Sequence, residues 1–229
     1  SGYMRVEKGR VAVIIDVAPI GPDYLPGHSH ADTLSFELSL DGRRVFVNSG
    51  VSEYGSCEAR RRQRGTASHN TVVVDDQDSS EVWGGFRVAR RARVTHREVR
   101  RNGSEILVRA THDGYKRLAG AVLHHRSWTV SSDQLVLLDR LTGVGRHTVR
   151  SYLHVHPDFR AEIVAPGQVT VYGQGKEPIC SVTFQGPGDT RLENATYHPE
   201  FGVSLPNMAI CHQADDVIPL AIQATIRWN

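Results

Sequence analysis

Leu34-Ser35-Phe36-Glu37-Leu38-Ser39-Leu40-Asp41-Gly42-Arg43-Arg44-Val45-Phe46-Val47-Asn48 is a pair of β-rich runs joined by Asp-Gly. Apolar and polar side chains alternate through the first run, the period of a strand with one face on a core. Asp-Gly is a strong two-residue hairpin signal. With that turn, partners across the hairpin have residue numbers summing to 83: Leu38 faces Val45, Phe36 faces Val47, and Ser35 faces Asn48. This register sets apolar against apolar on one side. It also carries Asn48 to the end of the hairpin where Gly27-His28-Ser29-His30-Ala31-Asp32 arrives.

The rest of the chain repeats the pattern. Strand-like runs occur at 11–17, 71–74, 106–112, 122–130, 135–141, 147–156, 168–172, 179–184, 208–212 and 220–228, broken by turn clusters such as Asn102-Gly103 and Pro187-Gly188. No apolar 3.6-residue period lasts three turns. Strands without intervening helices predict an all-β fold, a two-sheet antiparallel β-sandwich. The 229 residues can bury a core of their own, and a single domain over 1–229 is the simplest organisation, with a Pro/Gly break at 185–189 as a possible sub-boundary. No apolar run approaches the roughly 18 residues of a membrane span. The start at Ser1, without a Met, reads as a cut from a longer protein.

Three cysteines, Cys57, Cys180 and Cys211, are too few and too scattered for a disulfide framework and are expected to be buried or idle thiols. The net charge of +2 conceals 24 Arg against 3 Lys, and 11 of the arginines fall between Arg60 and Arg101. Arg is the bidentate binder of carboxylate and sulfate, so an anionic partner is one reading; solvated strand faces offset by Asp75, Asp76, Asp78 and Glu81 is the other. A near-neutral chain without a groove-reading motif disfavours nucleic acid.

Twelve histidines are many for this length, and His28 and His30 stand at i, i+2. In an extended segment their Cα atoms lie about 7 Å apart with both side chains on one face, suited to joint metal binding or to one ligand and one base. Asp32 follows, Asn48 lies across the hairpin, and His69 opens another strand. A cupin site would need a Glu three or four residues after the second His, but Glu37 is seven after His30, so cupin is a minor alternative. A hydrogen-bonded polar cluster without metal also stays open.

The ordered motifs Gly27-His28-Ser29-His30-Ala31-Asp32, Val47-Asn48-Ser49-Gly50, Tyr54, Arg64-Gly65-Thr66-Ala67-Ser68-His69-Asn70-Thr71-Val72, Ser80-Glu81-Val82-Trp83-Gly84-Gly85-Phe86-Arg87 and His154-Val155-His156-Pro157 resemble the C-terminal β-sheet domain of the heparinase II/III-like polysaccharide lyases. The resemblance implies that His28 lies at the active-site cleft, that Tyr54 is a second catalytic candidate, and that Arg64 and Glu81 are substrate-binding, with Glu53 a further cleft candidate. It also implies a structural zinc on His30, Asn48 and His69. Asn48 stands where the family has Asp, which removes a negative charge and lowers the expected zinc occupancy.

The chemistry so implied is β-elimination on a uronic-acid-containing polysaccharide: a carboxylate is neutralised, the C5 proton is abstracted, and the 4-linked leaving oxygen is protonated. The family carries its principal Tyr and carboxylate-neutralising residues on an N-terminal helical α/α toroid, which is absent from these 229 residues. The expectation is therefore a lyase domain that is inactive alone, partnered by anionic polysaccharide and that helical domain, in a periplasmic or secreted setting. The alternative is a non-catalytic β-sandwich that binds or scaffolds an anionic glycan in a bacterial exopolysaccharide system.

Overall fold

A computed structural model describes residues 2–175 and 177–228, so Ser1 and the reading placed on it lie outside the described residues. The strands in chain order are β1 (Tyr3–Lys8), β2 (Val11–Asp16), β3 (Phe36–Leu40), β4 (Arg43–Phe46), β5 (Val72–Val74), β6 (Val82–Trp83), β7 (Arg87–Val88), β8 (Val94–Asn102), β9 (Glu105–His112), β10 (Leu123–Val130), β11 (Gln134–Thr142), β12 (Arg146–Val155), β13 (Arg160–Ala165), β14 (Gln168–Tyr172), β15 (Pro178–Gln185), β16 (Asp189–Tyr197), β17 (Leu205–Val217) and β18 (Leu220–Arg227). The first 8-stranded sheet runs β1-β2-β3-β4-β12-β17-β16 with β5 beside β12, and the second 8-stranded sheet runs β13-β14-β15-β18-β11-β10-β9-β8. All the ladders of these two sheets are antiparallel.

Period-2 patterning makes this a sandwich. Trp128 and Val130 of β10 and Leu135, Leu137 and Leu141 of β11 point inward and are buried. They meet Ile15, Phe36, Leu38, Val149, Leu153 and Ile210 of the first sheet in one continuous core. Each such side chain stabilises the fold by about 1.5–3 kcal/mol through apolar area removed from water. The 185–189 break is the crossing from β15 in the second sheet to β16 in the first.

Two expectations are corrected in the deciding hairpin and its neighbourhood. The Asp41-Gly42 turn forms with φ of 51° and 75°, and Leu40 pairs with Arg43. A bulge after Leu38 then shifts the ladder, so that Leu38 faces Phe46 in place of Val45. Val45, Phe46 and Val47 are all buried, and a continuous apolar run gives no alternation to fix a register. The second correction is a helix, α1 (Glu58–Arg64), capped by the Cys57 sulfur, which accepts from the Arg60 N–H. Its buried face is Arg60, Gln63 and Arg64, a polar i, i+3, i+4 stripe invisible to a search for apolar period. Cys57 is thus exposed and capping, whereas Cys180 and Cys211 are buried thiols. No helix is long and apolar enough to cross a membrane among the described residues.

Candidate functional site

The β2–β3 connection (17–35), the β4–β5 connection (47–71), the β6–β7 hairpin and the β16–β17 turn bring the expected residues together at one end of the first sheet. His28 closes a short 3-10 turn (Pro26–His28), and Ser29 returns to extended backbone. The histidines at i, i+2 therefore do not share a face as an extended segment would have it: each finds a different partner. His28 stays exposed, with its Nδ1 3.2 Å from the Tyr54 hydroxyl. His30 turns inward, its Nδ1 3.1 Å from His69 Nε2.

Tyr54 is 48% exposed, and the rings of Phe86 at 6.4 Å and Phe201 at 5.5 Å lie nearly parallel to it. The Arg60 guanidinium lies 5.0 Å from its ring centroid. Arg60 is buried, donates to the Gly27 carbonyl at 2.9 Å, and approaches His30 Nε2 at 3.5 Å. Arg60 and Phe201 went unassigned in the sequence. Arg60 stood in the Arg60-Arg61-Arg62 run read as bulk charge, and no motif marked Phe201.

Neither Arg64 nor Glu81 offers a free side chain: the first is buried and the second, partly exposed, is ion-paired. Arg64 is wholly buried and donates to the carbonyls of Ser29, Gly84, Pro26 and Arg87, so its guanidinium lies under the cleft and ties the His28 loop to the β6–β7 hairpin. Burial lowers its pKa to about 10. Glu81 is engaged by Arg90 at 2.6 Å, with Arg117 at 3.7 Å.

Burial, then His69, Arg60 and Arg64, depress His30 to about 2; burial depresses His69 to about 4 against its bond to Gly65. Both rings are neutral at pH 7, and their partners fix the tautomers. His69 Nδ1–H donates to the Gly65 carbonyl at 2.8 Å, His30 Nδ1–H donates to His69 Nε2, and His30 Nε2 faces Arg60. Asn48 lies beside this pair: its Oδ1 accepts from Asn70 N–H at 2.9 Å and its Nδ2 donates to Ser35 Oγ at 3.3 Å.

The fit to a zinc ion can be judged from these atoms. Two ligands about 2.0–2.1 Å from a tetrahedral ion sit roughly 3.3 Å apart, and the imidazole nitrogens are 3.1 Å apart. The imidazoles fit. Asn48 contributes an amide oxygen with one lone pair already taken, and among the described residues no three His, Cys, Asp or Glu side chains converge on one point. The Arg60 guanidinium, 3.5 Å from His30 Nε2, adds positive charge where a dication would need negative.

Residues 1–228 match the family model described as "Heparinase II/III-like, C-terminal". The chain belongs to that family. The fold of this heparinase II/III-like domain is similar to a solved heparan sulfate lyase from Pedobacter heparinus, at 16% identity and TM-score 0.77, covering 100% of this chain and 35% of that one. It is also similar to a solved heparinase III gene product, at 16% identity and TM-score 0.75, covering 99% of this chain and 36% of that one. A 4-alpha-glucanotransferase from Thermococcus litoralis shares the sandwich more loosely, at 8% identity and TM-score 0.59, over 99% of this chain and 37% of that one. The domain thus spans just over a third of the length of the two lyase structures. No curated protein matches its sequence.

Proposed function

We propose that this domain is the β-sandwich part of a polysaccharide lyase that cleaves a uronic-acid-containing anionic polysaccharide by β-elimination, working with a helical domain of the same parent protein. The observation that carries the reading is the exposed Tyr54–His28 hydrogen bond, 3.2 Å, in a chain of this family. With the Tyr54 hydroxyl donating to His28 Nδ1, the neutral ring keeps its proton on Nε2. That N–H suits protonation of the leaving 4-oxygen, with the phenol proton passing to Nδ1 as Nε2 gives up its own. Arg60 behind the Tyr54 ring favours the transient phenolate. Abstraction at C5 and neutralisation of the carboxylate fall to the helical domain.

His30, His69 and Asn48 would hold a zinc ion, and such an ion would supply a cross-link between the two connections that frame the cleft; His28 and Tyr54 do the proton chemistry without it.

In the full-length protein, His28→Ala and Tyr54→Phe are each expected to lower kcat by about 10²–10⁴-fold with the unfolding midpoint unchanged. The assay is release of unsaturated uronate from heparan sulfate, alginate, hyaluronan and bacterial exopolysaccharides. Robust turnover by residues 1–229 alone, or full activity in both variants, would sink the reading. A second reading, glycan binding without chemistry, is favoured by the exposed Tyr24, Trp83, Phe86 and Phe201. It predicts polysaccharide binding that survives His28→Ala in a full-length protein with no elimination activity.

A further inference from the structure

β8 is a lateral strand of the second sheet, and cations gather on both of its flanks. On the outer face, register sets His96, Thr111, His125 and Arg140 in one row across β8, β9, β10 and β11, with Arg109 in the next row opposite Glu98. Neighbouring strands are about 4.7–4.9 Å apart, so the row spans roughly 14 Å. A groove of about 450 Å³ lies over it, and among the described residues no carboxylate lines that groove. On the inner flank a second groove, about 670 Å³, separates β8 from the 17–23 segment and is lined by Arg93, His96 and Arg97. His96 belongs to both grooves, which makes them one surface wrapped around the edge of the sheet.

The charges on this surface are accessible and unspent. Arg93, His96, Arg97, Arg109 and Arg140 are all exposed. Among the described residues, the side chains of Arg93, Arg97 and Arg140 make no hydrogen bond or ion pair. Arg109 reaches Glu98 only at 3.5 Å, and Glu98 is already held by Arg100. The Asp23 carboxylate in the inner groove is taken by Arg91 at 3.0 Å. Like charges set side by side on a sheet destabilise it, and an anion laid over them removes that cost. His125, its two nitrogens taken by Thr111 Oγ1 at 2.8 Å and Thr142 Oγ1 at 2.9 Å, is floor and not contact. Ser127 and Thr142, both partly exposed, put hydroxyls among the cations, a lining that matches a ligand carrying hydroxyls and anionic groups together. No Phe, Tyr or Trp among the described residues lines either groove, so a nucleic acid would find no ring on which to stack its bases.

We infer that the β8 edge and the adjoining outer face of the second sheet hold a segment of an acidic polysaccharide, its carboxylate or sulfate groups bound by Arg97, Arg109 and Arg140. Guanidinium groups take either oxyanion in the same forked geometry. The ligand class rests on the proposed function, but the site does not use its chemistry: the outer groove lies across the second sheet from the Leu34 and Asn70 carbonyls that Arg126 reaches, apart from the His28–Tyr54 surface.

The test titrates residues 1–229 into labelled oligosaccharides of heparan sulfate and of alginate, with neutral dextran and an oligo(dT) of equal charge alongside, by fluorescence anisotropy, and maps backbone amide shifts by ¹⁵N–¹H NMR. Both acidic oligosaccharides are expected to bind at least about tenfold more tightly than dextran or oligo(dT), with the largest shifts in β8, β9 and β11. Arg97→Glu with Arg140→Glu should weaken that binding by about tenfold or more, whereas the same charge reversal at two other exposed positions, Arg43→Glu with Arg227→Glu, should change it by less than about twofold. The shift map, taken on the unaltered protein, decides the location independently of any variant. Equal weakening by both pairs of reversals, dextran or oligo(dT) bound as tightly as the acidic sugars, or shifts confined to the surroundings of His28 and Tyr54 would overturn the inference. Binding is read without turnover: loss of elimination in the full-length protein with this binding intact strikes the lyase reading alone, and loss of this binding with elimination intact strikes this inference alone.

Discussion

Two histidine pairs in this molecule have nearly the same geometry and different surroundings. His30 and His69 meet edge to face with centroids 5.2 Å apart and nitrogens 3.1 Å apart; His112 and His124 do so at 5.0 Å and 3.1 Å. The second pair lies in the second sheet and all four of its nitrogens are engaged. Gly114 N–H donates to His112 Nδ1, and His124 Nε2–H donates to Asp139 at 2.6 Å. Arg126 closes the arrangement, gripping both Asp139 oxygens at 2.6 and 2.8 Å and reaching across to the carbonyls of Leu34 and Asn70 in the loops of the first sheet. The first pair ends on a backbone carbonyl and a distant arginine, with no carboxylate. The lesson is that spacing between imidazoles does not tell architecture from site; the groups at the ends of the relay do.

The comparison breaks most severely at Arg126. Arg126→Met leaves Asp139 buried without its cation and is expected to cost about 3–5 kcal/mol in denaturant unfolding, and to loosen the loops that carry His30 and His69. A loss under about 1 kcal/mol would make the cluster ornamental.

Acid should weaken both pairs, which are buried as neutral rings. Burial depresses His112 and His124 below the ordinary histidine range, and His154 to about 4. Asp139, though burial works to raise it, is held below the ordinary carboxylate range by Arg126 and His124. For the histidines the unfolded chain binds the extra protons, so their stabilisation is present above about pH 6.5 and is lost as pH falls below it; Asp139 adds its loss below about pH 4. Burial raises Asp16 to about 8 and Asp32 to about 7, which acts the other way, strengthening the fold as pH falls from about 8. The unfolding midpoint should therefore decline below pH 6.5, and more steeply in Asp16→Asn, where part of the offset is gone. A flat profile in both proteins would contradict the buried neutral histidines.

The smallest effect sharpens the contrast at the loop pair. Asn48→Asp restores an anionic oxygen and should tighten zinc about tenfold or more in calorimetric titration, whereas His112→Gln leaves zinc affinity unchanged. Equal affinity in wild type and Asn48→Asp would remove Asn48 from the metal's surroundings.

Much of this was legible in the amino acids. The Asp41-Gly42 turn, the β-sandwich and the gathering of His28, His30, Asn48, Tyr54 and His69 all follow from local pattern and motif. What escaped had physical reasons. The Val45–Val47 run hid a bulge, α1 buried a charged stripe, and the fate of Arg64 depended on carbonyls offered by two separate segments. The larger strands that pattern missed, β1, β8, β13 and β16, are the four lateral strands of the two big sheets, where one flank lacks a neighbour and alternation fades.

Those four strands share another trait. Each bears an Arg–Glu ion pair two residues apart on the same side: Arg5 with Glu7, Arg100 with Glu98, Arg160 with Glu162, and Arg191 with Glu193. Exposed pairs of this kind contribute little to folding stability. Their consequence is colloidal: a second molecule adding a strand at any rim of the sandwich would have to desolvate a guanidinium and a carboxylate together, so charge at the rims keeps open-edged sheets from growing into aggregates. Part of the arginine excess that first suggested a polyanion is thereby explained as insulation between copies of the protein itself.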